Sequence, residues 1–172
     1  LTAAAEAAAL RQALEANGRD LIAYFENRLS DRQDAADLLS ETAMAAWRRI
    51  DALPCDDATR QRMWLFGIAR FVLGNHRRSR RRRSALVERL RESLRAAPVV
   101  VADPATTIAV RDAVDRLKDE QRELMLLVHW DGFSVTEAAD LLDLNPSTAR
   151  SRYAAARAEL RSALFDLEGC EA

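Results

Sequence analysis

Arginine supplies most of the chemistry in this 172-residue chain. Arg70, Arg77, Arg78, Arg80, Arg81, Arg82 and Arg83 crowd around Asn75 and His76. Guanidinium groups stay charged and donate in a planar fork that matches phosphate oxygens. A second set, Ser147, Thr148, Arg150, Ser151, Arg152, Arg157 and Arg161, lies near the C-terminus. Hydroxyls and guanidiniums in that pattern suit base edges and phosphates. Neither set combines a nucleophile with an acid and a base, so no catalytic residue is expected and an enzyme is the least favoured reading.

The charge is unevenly spread. The formal net charge is −1, yet residues 60–95 hold 12 Arg against 2 Glu, a net of +10. Residues 1–57 carry −5 and residues 112–143 carry −6, before residues 147–164 turn basic again. An acidic–basic–acidic–basic order implies a polyanion for the basic blocks and a different partner for the acidic ones.

Other chemistries lack their residues. The two histidines, His76 and His129, and the two cysteines, Cys55 and Cys170, form no metal-ligand spacing. No metal or other cofactor is expected, and no phosphate-loop or dinucleotide motif occurs. No apolar run approaches the length of a membrane span, so no membrane insertion is expected. No basic stretch leading into an apolar one opens the sequence. A reduced, cytoplasmic setting is the simple expectation.

The elements that must carry these residues are helices. Five Gly and four Pro leave little material for strand turns, while Ala, Leu and Arg favour helix. The expected fold is all-α: two small helical domains joined by a flexible linker, the second ending in a helix-turn-helix. Leu1–Leu14 is a candidate amphipathic helix. Asp20 is placed to cap another running through Leu29. A helix over Gln33–Ile50 would turn Ala35, Leu38, Leu39, Thr42 and Ala46 to one side, with Asp34, Asp37 and Glu41 near its start, where the macrodipole favours anions. Trp47 extends that apolar side. Asp51–Thr59, with Pro54, reads as a loop. A third helix is expected from Arg60 to about Arg83, with Trp64 and Phe66 on its packed side. The domain limits read as an extension over 1–17, a first domain over 18–95, a linker over 96–107 and a second domain over 108–172.

The strongest local pattern spans Phe133–Leu164. Ser134 with Glu137 three residues later forms a capping-box signature. Asp143-Leu144-Asn145 makes a tight turn, and Pro146-Ser147 launches the next helix with Asn145 or Ser147 as cap. Ala149, Tyr153, Ala156 and Leu160 would be its buried side. Arg150, Arg157 and Arg161 fall within about 40° of one another on the helical wheel, giving a basic stripe. That is the layout of a recognition helix.

These residues resemble a known family. Phe133-Ser134-Val135-Thr136-Glu137-Ala138-Ala139-Asp140-Leu141-Leu142, followed by Ser147-Thr148-Ala149-Arg150-Ser151-Arg152, is similar to the promoter −35-binding region of bacterial sigma factors. Asp34-Ala35-Ala36-Asp37-Leu38-Leu39-Ser40-Glu41-Thr42 with Trp47 resembles the family's polymerase-binding helix. Trp64-Leu65-Phe66-Gly67-Ile68-Ala69-Arg70 with Arg77-Arg78 resembles its promoter-melting helix. Phe71 stands where the family usually has Asn, and Asn75 where it usually has Asp. The short two-domain form resembles the extracytoplasmic-function (ECF) group.

The resemblance implies an alternative sigma factor, a detachable specificity subunit that lets core RNA polymerase start at chosen promoters. Asp34, Asp37, Leu38, Glu41, Thr42 and Trp47 would meet the polymerase clamp, and the second domain would help contact the flap. Arg70, Asn75, His76, Arg77, Arg78 and Arg80–Arg83 would hold promoter DNA near the −10 element. Ser147, Thr148, Arg150, Ser151, Arg152, Arg157 and Arg161 would read the −35 element. Such factors are commonly held by an anti-sigma protein. The competing readings are a stand-alone helix-turn-helix regulator and, less favoured, a helical adaptor that binds only protein.

Overall fold

The computed structural model describes residues 3–29, 31–54, 57–91 and 112–168, with side chains described outside 83–91 and 164–168. The fold is all-α, with no strand among the described residues. The chain divides into two units, Leu1–Pro98 and Val99–Ala172. The expected linker over 96–107 lies outside the described residues, as do Cys55 and Cys170.

The first unit is three helices packed on one another: α1 (Ala3–Glu26), α2 (Arg32–Trp47) and α3 (Ala58–Arg91), with a 3-10 turn at Ile50–Ala52. One continuous α1 replaces the two short helices expected there. Its stripe of Leu10, Ala13, Asn17, Leu21 and Tyr24 keeps a spacing of three or four residues across Gly18, and every member is buried. Tertiary burial of that stripe outweighs the roughly 1 kcal/mol helix penalty of a glycine. Asp20 therefore lies inside the helix, where it pairs with Arg62 of α3 instead of capping. Asn17 is satisfied on both sides, donating to the Ala13 carbonyl at 2.8 Å and accepting from Arg62 at 3.1 Å.

Asp31 caps α2 by accepting from the Gln33 amide at 2.8 Å. The buried side of α2 is Ala35, Leu38, Thr42 and Ala46. The Thr42 hydroxyl donates to the Leu38 carbonyl at 2.7 Å, so it enters the core without an orphaned polar atom. The helix ends at Trp47, three residues earlier than expected. Helix α3 starts earlier than expected because the Asp57 carboxylate accepts from the Thr59 amide at 2.8 Å. Its Leu65, Phe66, Ile68, Ala69, Val72 and Leu73 complete the core. Phe66 meets Tyr24 edge to face at 5.4 Å.

In the second unit, residues 112–116 are helical (α4), followed by α5 (Asp119–His129), α6 (Val135–Leu141) and α7 (Pro146–Glu168). Gly132, at φ +74°, turns the chain between α5 and α6 in a conformation that favours glycine. The capping box at α6 is complete. The Ser134 amide donates to Glu137 at 2.8 Å and the Glu137 amide donates to the Ser134 hydroxyl at 3.2 Å. Asp143 takes φ +55° in the turn, and Asn145 receives the Ser147 amide at 2.9 Å, which makes Asn145 the cap of α7. Buried Ala138, Ala139 and Ala149 allow close approach of α6 and α7. Tyr153 and Leu160 pack half-buried against Leu117, Met125 and Ala156.

Candidate nucleic-acid interface

The arginine-rich helix α3 is divided by its packing. His76, Arg77 and Arg80 are tied back to the α1–α2 corner. Arg80 Nη1 donates to Asp34 Oδ2 of α2 at 3.2 Å, and Arg77 Nη2 reaches the Arg28 carbonyl at 3.5 Å. His76 Nε2 stands 3.5 Å from the same Asp34 oxygen, an electrostatic approach without hydrogen-bond alignment. Arg70, Asn75, Arg78, Arg81 and Arg82 are exposed, and Arg78 donates to Asn75 one turn before it. The Arg83 side chain lies outside the described side chains.

Exposed Gly67, Phe71, Asn75, Arg78 and Arg82 recur every three or four residues, so they share one face of α3. Phe71 is 56% exposed, and the Arg49 guanidinium lies 5.9 Å from its ring centroid. Phe66 is buried and Trp64 half-buried, as the packing pattern implied. An exposed aromatic ring among arginines offers a stacking surface beside phosphate-binding groups.

The acidic helix α2 also sorts its residues. Asp37 and Glu41 are exposed, but Leu38 and Thr42 are almost fully buried. Both side chains are closed to solvent within the first unit, so any contact they make with a partner would be indirect. Asp34 is likewise engaged inside the chain. Trp47 is 58% exposed, and a cleft beside it is lined by Ala7, Leu10, Arg11, Leu14 and Glu15 of α1. Trp47 therefore does not extend the apolar side of α2 as expected, and Met44, one helical turn before it, is exposed as well. Both lie off the Ala35–Leu38–Thr42–Ala46 stripe, which is the signal that distinguishes them.

On α7, Arg150, Arg157 and Arg161 are exposed along one stripe. Ser147 is held by Asn145 through its hydroxyl at 2.8 Å, and the Ser151 hydroxyl donates to the Ser147 carbonyl at 3.2 Å. Thr148 is half-buried. Arg152 departs from the group: its Nη1 lies 2.8 Å from Glu120 Oε2 of α5. Its neighbour Tyr153 shares a 3.0 Å hydrogen bond with His129 Nε2, the two rings lying nearly parallel. Arg157 lies over the Tyr153 ring at 5.8 Å. His129 therefore belongs to an aromatic contact between α5 and α7. Among the described residues, no group of three His, Cys, Asp or Glu could hold a metal ion.

Comparison with known proteins adds an independent finding. Residues 13–83 match the family described as Sigma-70 region 2, and residues 107–160 match Sigma-70, region 4. A relative from Mycobacterium tuberculosis, ECF RNA polymerase sigma factor SigL, is 29% identical over 167 residues, covering 96% of this chain and 94% of the relative. ECF RNA polymerase sigma factor EcfG of Rhodopseudomonas palustris is 34% identical over 153 residues, covering 86% and 80%. Among solved structures, the sigma factor RpoE bound to the anti-sigma factor NepR from Bartonella quintana aligns with a TM-score of 0.66 at 25% identity, covering 90% of this chain and 96% of that one. CnrH in complex with the cytosolic domain of CnrY gives 0.63 at 28% identity, covering 92% and 88%.

Proposed function

Since this chain belongs to the sigma-70 family of RNA polymerase sigma factors, in the ECF group, we propose a division of labour among its helices. The protein is an alternative sigma factor that joins core RNA polymerase and directs promoter recognition, melting and initiation. The reading rests above all on one observation: a capped helix-turn-helix with an exposed Arg150–Arg157–Arg161 stripe on the same chain as an arginine-rich helix packed beside an acidic one. A stand-alone regulator leaves the acidic helix and α3 without a role.

In this reading, α7 enters the major groove of the −35 element. Ser147 and Ser151, at the helix start, approach phosphates or base edges, while Arg150 and Arg157 supply the charged contacts. Arg152 acts mainly through α5. The exposed side of α3, with Arg70, Phe71, Asn75, Arg78, Arg81 and Arg82, takes the −10 element. Phe71 stacks on an unpaired base and the arginines hold phosphates. Arg83 extends that charge.

Asp37, Glu41 and Trp47 present the docking side of α2 to the polymerase clamp. Exposed acids steer and orient a basic partner, and an exposed tryptophan anchors it. Flap contact falls to the second unit. Phosphodiester chemistry belongs to the polymerase, so the protein works without catalytic residues or cofactor, in the cytoplasm where promoters are. No described helix is long and apolar enough to cross a membrane. An anti-sigma protein is a further partner, by analogy with the RpoE–NepR complex.

Run-off transcription with purified core polymerase tests the proposal. Promoter-dependent transcripts are expected only when this protein is added. Failure to associate with core, or to support any promoter-dependent transcript, would overturn it.

A further inference from the structure

Arg70, Arg77, Arg78, Arg80, Arg81 and Arg82 of α3 are all exposed, but Arg77 and Arg80 also meet groups of the α1–α2 corner. Asp34 sits in the first turn of α2 with 29% of its side chain exposed. One of its oxygens faces both Arg80, at 3.2 Å, and His76, at 3.5 Å. Next to them, Arg77 reaches the Arg28 carbonyl. Arg77 and Arg80 thus stay exposed yet engage the α1–α2 corner, while Asn75, Arg78 and Arg82 lie exposed on another side of α3.

Affinity for DNA of any sequence grows with the number of phosphates a protein neutralises. An arginine already facing a carboxylate contributes less, because phosphate must displace that carboxylate first. We propose that Asp34 is a specificity-determining residue that acts as an internal competitor for phosphate. It makes Arg80 less available to arbitrary DNA and favours the Phe71–Asn75–Arg78–Arg82 side as the face that DNA meets. Discrimination arises by disfavouring the wrong mode as well as favouring the right one. The inference rests on the reading of α3 as a DNA-binding helix. It gives Asp34 a role different from docking to polymerase.

Arg80 is 59% exposed, so the pair is weak and its effect is modest. The measurement is fluorescence anisotropy of a labelled mixed-sequence DNA duplex titrated with the full chain, without polymerase, over a range of salt. Asp34→Asn is compared with Glu15→Gln, which makes the same change in net charge on α1. Beyond that control, Asp34→Asn is expected to bind up to about fivefold tighter, the equivalent of an exposed ion pair at the upper end of its range. The slope of log affinity against log salt is expected to steepen by about 0.9 for the phosphate recruited. The gain should vanish in an Arg80→Gln background, and Asp34→Glu should behave as the wild type. Thermal melts establish that each variant is folded.

If Asp34→Asn matches Glu15→Gln, or its gain survives the loss of Arg80, or neither protein binds the duplex, the inference is overturned. Arg78→Gln tests the underlying reading separately. Should it weaken binding while Asp34→Asn matches its control, only the role of Asp34 falls. Should Arg78→Gln have no effect, α3 is not the DNA-binding helix.

Discussion

Arg152 Nη1 lies 2.8 Å from Glu120 Oε2, and this ion pair joins the recognition helix α7 to α5 across 32 residues of sequence. It separates Arg152 from the other arginines of α7. Glu120 is 69% and Arg152 33% exposed, so solvent screens the pair and its worth to stability is small. Replacing Arg152 with Ala should leave the salt slope of −35 duplex binding nearly unchanged and shift thermal unfolding only slightly. A slope change as large as that of a phosphate-binding arginine would show that Arg152 leaves Glu120 for DNA.

Arg150 and Arg157 provide the contrast. Both are exposed on one stripe of α7. The double replacement by Ala should weaken binding to a −35 duplex and reduce the magnitude of the salt slope by about 0.9 for each phosphate no longer neutralised. Unaltered affinity in the same anisotropy titration would move recognition to another surface.

Asn145 makes two bonds at the head of α7, receiving the Ser147 amide and hydroxyl. Asn145→Ala should cost about 1 kcal/mol of stability, as loss of an N-cap does, seen as a lower melting midpoint. Promoter binding should fall with it, because Ser147 loses its anchor. Asn145→Asp keeps the acceptor and should restore the melting midpoint.

Leu38 and Trp47 lie on one helix but should fail differently. Leu38→Ala opens a cavity in the α1–α2–α3 core and should cost about 2–5 kcal/mol. Trp47→Ala removes a mostly exposed ring, so it should leave the melting midpoint nearly unchanged while lowering affinity for core polymerase in a pull-down titration. Equal core binding by Trp47→Ala would remove this tryptophan from the docking surface.

The local patterns that set the fold are legible in sequence. The capping box at Ser134 and Glu137, a cap of α7 at Asn145 or Ser147 and the apolar spacing of α2 each depend on residues a few positions apart. The charge blocks, and the order of motifs that carries the family resemblance, are also linear properties. Helix ends are less legible where the signal is a single residue: Asp57 caps α3, yet the nearby Pro54 makes the stretch read as a loop.

Tertiary structure decided what each charge faces. Nothing near Arg80 in sequence announces Asp34, 46 residues earlier, and nothing near Arg152 announces Glu120. A run such as Arg80–Arg83 specifies charge density without specifying direction. Direction follows from how α3 is rotated by its buried Leu65, Phe66, Ala69, Val72 and Leu73 against α1 and α2. In the same way, burial of the Leu10–Tyr24 stripe carried α1 through Gly18, and the orientation of α2 left Trp47 outside. Sequence determined the helices and the chemistry they carry, because those depend on neighbours within a turn or two. Which charges pair inside the chain and which face solvent was settled by packing, because charges interact through space and not along the chain.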